Sequence, residues 1–155
     1  MAIEIERKFL VRGNGWQNQA IGQLYRQGYM HTEDGITLRA RVVGDKGYLT
    51  IKGPSFNNSR AEYEYEIPFE DAEEMLNSLC SSPLIEKVRY HVYHGKFVWE
   101  VDEFVGDNQG LIVAEVELKD ENQRVELPEW IGEEVSHDQR YSNFNLSKNP
   151  WKNWS

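Results

Sequence analysis

The chain has 155 residues, 39% hydrophobic and 28% charged, and its 26 acids against 17 Lys and Arg give a formal net charge of −9, which argues against a protein held to nucleic acid by bulk electrostatics. Twelve Gly against five Pro, with no low-complexity run, argue against disorder, and the single cysteine, Cys80, rules out an intrachain disulfide framework and suits a reducing compartment. Glu4 and Glu6 fall where a signal peptide would be apolar, and no apolar run approaches the roughly 18 residues of a membrane helix, so the expectation is one soluble, cytoplasmic domain over residues 1–155.

Period-two alternation, the mark of strands, begins at once. Glu4, Glu6 and Lys8 share one face, and Ile3, Ile5 and Phe9 share the other. Residues 13–22 read as loop or short helix. A second strand over 23–31 sets Tyr25, Gln27, Tyr29 and His31 on one side. A third over 37–42 aligns Arg39 and Arg41 against Leu38, Ala40 and Val42. The turn Gly44-Asp45-Lys46-Gly47 predicts a hairpin into a fourth strand over 48–52, with Thr50 and Lys52 on one face. A fifth over 60–67 sets Glu62, Glu64 and Glu66 against Ala61, Tyr63, Tyr65 and Ile67.

One helix interrupts the strands. Residues 71–80 place Ala72, Met75, Leu76, Leu79 and Cys80 on one stripe, and Asp71 with Glu74 predicts an acidic capping box. Three strands follow. Residues 85–93 set Lys87, Arg89 and His91 opposite Val88, Tyr90 and Val92. Residues 97–104 set Glu100 and Asp102 opposite Phe97, Trp99 and Val101. Residues 111–118 set Glu115 and Glu117 against Ala114, Val116 and Leu118. The remaining residues read as loops and short helices.

Several catalytic devices are absent. There is no G-x-x-x-x-G-K-[ST] loop, no G-x-G-x-x-G after a strand and no H-E-x-x-H. One cysteine cannot build a Cys-based zinc site, and on the helix stripe Cys80 reads as a structural thiol. His91 and His94 are three apart on a strand, face opposite ways and read as structural histidines.

What the chain has instead is charge ordered on strand faces. The basic set is Lys8, Arg39, Arg41, Lys52, Lys87 and Arg89; the acidic set is Glu4, Glu6, Glu62, Glu64, Glu100, Asp102, Glu115 and Glu117. A solvated outer sheet face accounts for any one strand. Across eight strands the signs are segregated, and closing the sheet with this face inward gives a polar channel lined by both. Composition leaves the two arrangements near even. In the closed form, carboxylates suit a hard divalent cation, and Arg and Lys suit phosphate oxygens.

Glu4-Ile5-Glu6-Arg7-Lys8 resembles the ExExK motif of the CYTH, or triphosphate tunnel metalloenzyme, family. The likeness continues through Arg39-Ala40-Arg41, Lys52, Glu62-Tyr63-Glu64, Lys87-Val88-Arg89, Asp102 with Phe104, Glu115-Val116-Glu117 and Arg140-Tyr141-Ser142-Asn143. The resemblance implies a mostly β, α+β fold: a closed eight-stranded antiparallel barrel with a few flanking helices, acting on a triphosphate with Mg²⁺ or Mn²⁺. The opening and the tail look most like short bacterial inorganic triphosphatases, which implies hydrolysis of tripolyphosphate to pyrophosphate and phosphate. A class IV adenylate cyclase, a thiamine or nucleoside triphosphatase and a silent triphosphate-binding module are the alternatives. Lys8, Arg39, Arg41, Lys52, Lys87 and Arg89 would grip phosphates, and Glu4, Glu6, Glu62, Glu64, Asp102, Glu115 and Glu117 would hold metal. Lys87, its pKa depressed by neighbouring cations and Tyr29 its hydrogen-bond partner, is the candidate base. The partner expected is a small-molecule triphosphate, with no nucleic acid and no membrane; the sequence favours no particular oligomeric state. Trp151 and Trp154 are expected to dock on the barrel exterior.

Overall fold

Strands with charge on one face and apolar side chains on the other can shelter both only if the sheet curls and closes. The computed structural model of the chain, which describes residues 3–154, has that form. Strands β1 (Ile3–Val11), β2 (Gln23–Met30), β3 (Thr37–Val43), β4 (Lys46–Lys52), β5 (Ser59–Ile67), β6 (Ile85–His94), β7 (Phe97–Phe104) and β8 (Ile112–Glu117) run antiparallel in the order β5-β4-β3-β2-β6-β7-β8-β1. The barrel closes where β1 returns to β5 through the pairs Ile3–Ala61, Glu4–Arg60 and Ile5–Ser59. The predicted strands are all present, with ends shifted by at most two residues. Gly44, at φ +60, makes the tight turn between β3 and β4 that L side chains resist.

A ninth strand was not expected. β9 (Ile131–Glu134) pairs with the part of β1 that β5 leaves open, through Phe9–Glu134 and Val11–Ile131. Four residues with one apolar side chain give no alternation to read. Arg7 clasps it from β1, its guanidinium bonding both carboxylate oxygens of Glu134 at 2.7 and 2.9 Å.

Three apolar bodies surround the charged lumen. On the outside of β1, β6, β7 and β8, Phe9, Val92, Trp99, Val101, Ala114 and Val116 pack under Trp16, Leu118, Trp130 and Ile131. The segment 13–22, which forms a single 3-10 turn at Gln17–Gln19, is held there by Trp16, which is fully buried. On the outside of β3, Ala40 and Val42 are covered by Ala72 and Leu76 of helix α1 (Phe69–Ser78). The helix begins two residues earlier than the sequence pattern implied. Pro68 is its N-cap and no side chain caps it, so the expected Asp71–Glu74 capping box does not form. Glu70 and Asp71 lie in the first turn instead, where the helix dipole favours them. Leu79, expected on the buried stripe, lies past the last turn and is 62% exposed.

The third body corrects an expectation. Leu10, Tyr29, Ile85, Phe104 and Val113 share the lumen phase with Lys8, Gln27, Lys87, Asp102 and Glu115. They pack with Tyr141 and with Leu146 of helix α2 (Asn143–Lys148). The C-terminal segment therefore plugs one end of the barrel rather than coating its outside. Trp151 and Trp154 belong to this plug, with Trp154 edge-on to Tyr141 at 5.1 Å. On the outer faces of β4 and β5, α1 covers the end at Gly47 and Ile67, while Ile51, Tyr63 and Tyr65 beyond it are exposed. Among the described residues no helix is long and apolar enough to cross a membrane.

The approach of α1 to β4 sets a close limit at Gly47. A Cβ there would meet Ala72 Cβ at 2.5 Å and the Pro68 carbonyl oxygen at 3.2 Å, and backbone cannot swing aside. Gly47→Ala should lower the unfolding free energy by about 1–3 kcal/mol, read as a lower urea midpoint with an unchanged m-value.

Candidate active site

Barrel order turns the strand-by-strand charges into two arcs. The basic arc is β3, β2 and β6, with Arg39 and Arg41 on one side of β2 and Lys87 and Arg89 on the other. The acidic arc is β7, β8, β1 and β5, carrying Glu100 and Asp102, Glu115 and Glu117, Glu4 and Glu6, and Glu62 and Glu64. They face each other across a cavity of about 250 Å³.

Four cations so close repel one another, and β2 is built to separate them. Its lumen residues are uncharged: Tyr29 lies opposite Arg39, Gln27 opposite Arg41 and Tyr25 opposite Lys87. The Tyr25 ring has the Arg41 and Arg89 guanidiniums each 4.9 Å from its centroid, so one π-face system steadies both. Gln27, fully buried, accepts a hydrogen bond from Arg41 Nε at 2.8 Å.

Arg89 donates Nε and Nη2 to the two oxygens of Asp102 at 2.7 and 2.9 Å. Lys87 Nζ is 2.7 Å from Asp102 Oδ2 and donates to Asn143 Oδ1 at 2.9 Å. Burial pushes the Asp102 carboxyl up, but Arg89 and then Lys87 outweigh it and hold its pKa at about 2. Burial lowers Lys87 to about 7, with Asp102 opposing and Arg89 and Arg41 adding to the depression. Neighbouring cations were the expected cause; desolvation is the larger one.

Arg41 has a different status. Among the described residues no carboxylate lies within ion-pair distance of it, and burial, then Arg39, then Arg89 lower its pKa to about 9. Arg39 donates to Glu64 at 3.3 Å and Thr50 at 3.2 Å, while its buried Nε has no partner among the described residues. Among the described residues Lys8 Nζ donates only to the Tyr141 carbonyl, at 3.1 Å. Donors with unspent hydrogen bonds thus face the cavity from β3 and from β1.

The acidic wall has the opposite surplus. Lys52 bridges Glu4 at 3.0 Å and Glu62 at 3.5 Å. Burial, then Glu115, then Glu4 raise Glu6 well above the usual carboxylate range; burial and Glu4 raise Glu62 and Glu117. Glu115, despite burial, is held low by Lys8 and by a hydrogen bond from Glu6. Among the described residues no three acids converge into a ready-made cation cage.

Nearly all the residues singled out from the sequence line this cavity: Glu4, Glu6, Lys8, Tyr29, Arg39, Arg41, Lys52, Glu62, Glu64, Lys87, Arg89, Glu115 and Glu117. Asp102 is the exception. It is 2% exposed behind the cations with both oxygens engaged, so it offers Arg89 and Lys87 an anchor rather than offering a metal a ligand. Tyr29 was expected to bond Lys87; its hydroxyl accepts from Gln27 Nε2 at 3.0 Å instead, while Lys87 turns to Asp102 and Asn143. Glu100 pairs with Arg89 at 3.3 Å, and His91 lies 3.4 Å from the same carboxylate. Thr50, Gln27, Tyr25 and Asn143 were not foreseen as site residues. The first three share lumen phase with residues that were, whereas Asn143 arrives from the plug with no periodicity to announce it.

The CYTH domain family profile matches residues 2–148. A protein of Acetivibrio thermocellus named inorganic triphosphatase is 54% identical over 154 residues, covering 99% of each chain. One of Nitrosomonas europaea with the same name is 38% identical over 151 residues, covering 90% of this chain and 93% of that one. A crystal structure described as that of an inorganic triphosphatase superposes with a TM-score of 0.67 at 35% identity, over 92% of this chain and 96% of the other.

Asp102 is the counterion of two buried cations, and its removal leaves Lys87 without an ion-pair partner among the described residues and Arg89 with only Glu100 at 3.3 Å and Glu115 at 3.8 Å. Asp102→Ala should lose about 3–5 kcal/mol of unfolding free energy in urea. Inorganic tripolyphosphate, by supplying negative charge to the same cations, should restore part of that loss in the variant.

Proposed function

This chain belongs to the CYTH domain family, and we propose that it is an inorganic triphosphatase, hydrolysing tripolyphosphate to pyrophosphate and phosphate with a divalent cation, Mg²⁺ or Mn²⁺. The observation that carries the proposal is Arg41: a buried guanidinium with no carboxylate at ion-pair distance among the described residues, beside an Arg39 Nε that likewise has no partner among them. Burying an unpaired charge is expensive, and a phosphate group is the anion whose geometry guanidiniums match. The relatives named above support the same substrate class.

Arg39, Arg41, Lys87 and Arg89 would bind phosphate oxygens from one wall, with Lys8 and Lys52 reaching in from β1 and β4. Glu4, Glu6, Glu62, Glu64, Glu115 and Glu117 fit a hard divalent cation, because their donors are all carboxylate oxygens and the repulsion that raises Glu6, Glu62 and Glu117 is relieved by positive charge. With no cage formed by the acids alone, substrate phosphates would complete the ligand set. When bound, such a cation supplies Lewis-acid polarisation of the phosphate oxygens.

Hydrolysis needs a water lined up with a terminal phosphorus. Lys87, whose depressed pKa leaves a neutral fraction near neutrality, would take the water proton on Nζ as the new O–P bond forms and the bridging P–O bond breaks, releasing pyrophosphate. Asp102 keeps the ammonium anchored on the side away from the cavity. Tyr29 lines the cavity and, through Gln27, belongs to the same hydrogen-bonded group. A lone cysteine and an acidic chain fit a cytoplasmic enzyme of a small molecule.

Phosphate release from tripolyphosphate and from ATP, with and without chelator, in wild type and Arg41→Ala, tests the proposal. Tripolyphosphate should have the higher kcat/KM, chelation should abolish turnover until Mg²⁺ or Mn²⁺ is added back, and Arg41→Ala should weaken substrate use by about 10- to 100-fold, the scale of one lost charge-assisted contact. ATP preferred, cyclic AMP as main product or full activity in excess chelator would overturn it.

A pH profile checks the base. A lysine acts as base only when neutral, so kcat should rise with pH through about 7 and level off above it. A profile flat from pH 5.5 to 8 would remove Lys87 from that role.

A further inference from the structure

The polar group around Lys87 does not end on the strands. Its amine has a long, flexible stem that packing alone does not orient, yet it is 1% exposed and held at two points: Asp102 Oδ2 at 2.7 Å and Asn143 Oδ1 at 2.9 Å. The nitrogen is tetrahedral, so two fixed contacts leave its remaining direction determined. Asp102 supplies one contact from the wall, and the other comes from α2.

We propose that Asn143 is a positioning residue for Lys87, so that the plug helix completes the active site as well as closing the barrel. The proposal rests on the reading of Lys87 as the base. Asn143 Oδ1 receives a second donor, Gln27 Nε2, at 3.4 Å, and two donors on one oxygen fix which way the amide points. Gln27 in turn bonds Tyr29 and Arg41. One side-chain oxygen thus joins the base on β6 to the phosphate-binding arginine of β3.

Asn143 is itself held firmly. It opens α2 directly after Ser142, whose Oγ caps the helix by accepting from the Asn145 backbone N–H at 3.1 Å. Phe144 packs edge-on to Tyr29 with centroids 5.5 Å apart, and Leu146 is fully buried in the plug. Lys87 without this acceptor would retain Asp102 and burial, but could rotate about its stem. Among the described residues the Asn143 side chain has no hydrogen bond to Arg39, Arg41, Arg89, Lys8 or Lys52, so its loss leaves those five cations in place for phosphate and frees Lys87. The signature is therefore a loss in kcat at nearly constant KM.

Steady-state hydrolysis of tripolyphosphate with Mg²⁺ by wild type, Asn143→Ala and Ser147→Ala is the test. Ser147 bonds the Phe144 carbonyl within α2 at 2.6 Å, so its replacement loosens the helix without touching Lys87. Asn143→Ala should lower kcat about 10- to 100-fold with KM within about twofold of wild type, the size of effect that a misplaced reacting group produces. Ser147→Ala should leave both constants near wild type. Should Asn143→Ala fail to unfold cooperatively, Asn143→Ser, which stays polar but cannot reach Lys87, carries the same expectation. An unchanged kcat overturns the proposal, as does an equal loss in Ser147→Ala, which would mean that helix docking alone matters. A wild-type protein that does not hydrolyse tripolyphosphate removes the reading beneath it; active wild type with unaffected Asn143→Ala removes this inference alone.

Discussion

Charge buried inside a narrow barrel must be balanced close at hand, and most of the molecule follows from how that is done. Asp102 pairs with both Lys87 and Arg89 in the wall itself, with both oxygens spent and almost no exposure, and Glu100 supplies Arg89 with a second carboxylate. Across β2 from them, Arg41 is held by neutral groups, the Gln27 amide and the Tyr25 ring, with Asp102 attracting it from beyond ion-pair distance. The inner wall is therefore balanced on the β6 side and left in surplus on the β3 side. That surplus is tolerable because β2 lies between the two pairs and places no charge in the gap.

Turning charge inward forces apolar side chains outward, and the chain spends its non-barrel segments on that problem. Trp16, Trp130 and Ile131 cover one flank and α1 covers another. The lumen has an apolar end as well. Beyond the polar positions of β1, β2, β6, β7 and β8 toward that end, the inward set changes to Leu10, Tyr29, Ile85, Phe104 and Val113, and α2 fills the space between them. The shift from polar to apolar along one strand face is what makes the tunnel a dead end there, with the plug as its floor.

Much of this was legible from alternation. Glu4 with Glu6, Arg39 with Arg41 and Lys87 with Arg89 announce both their strands and their common face, because a side-chain period of two is a property of the backbone. Alternation cannot say which face is inside, nor which strands become neighbours; the segregation into arcs exists only in barrel order. It also treats every charged lumen residue alike, which is why Asp102 was grouped with the other acids although its depth gives it different work. Gln27 carried the right phase but no charge to attract notice. Asn143 and β9 lie where the chain has no periodicity, and their positions follow from tertiary packing alone.

The handing of β1's outer edge from β5 to β9 bears on how the molecule comes into being. Ile3–Ile5 pair with β5, while Phe9 and Val11 pair with β9, and the Arg7–Glu134 clasp joins residues 127 positions apart. Its other edge is taken by β8. Until residues beyond 130 have emerged from the ribosome, β1 lacks part of its final partners, and loop-closure entropy must be met before those contacts reward it. High contact order of this kind makes for slow folding, with the edges of β2–β5 waiting meanwhile as unpaired templates. A permuted chain that begins at the Gly95 turn between β6 and β7 and joins the present ends through a linker would bring β8, β9 and β1 close in sequence, and so convert the latest-closing seam into one of the earliest.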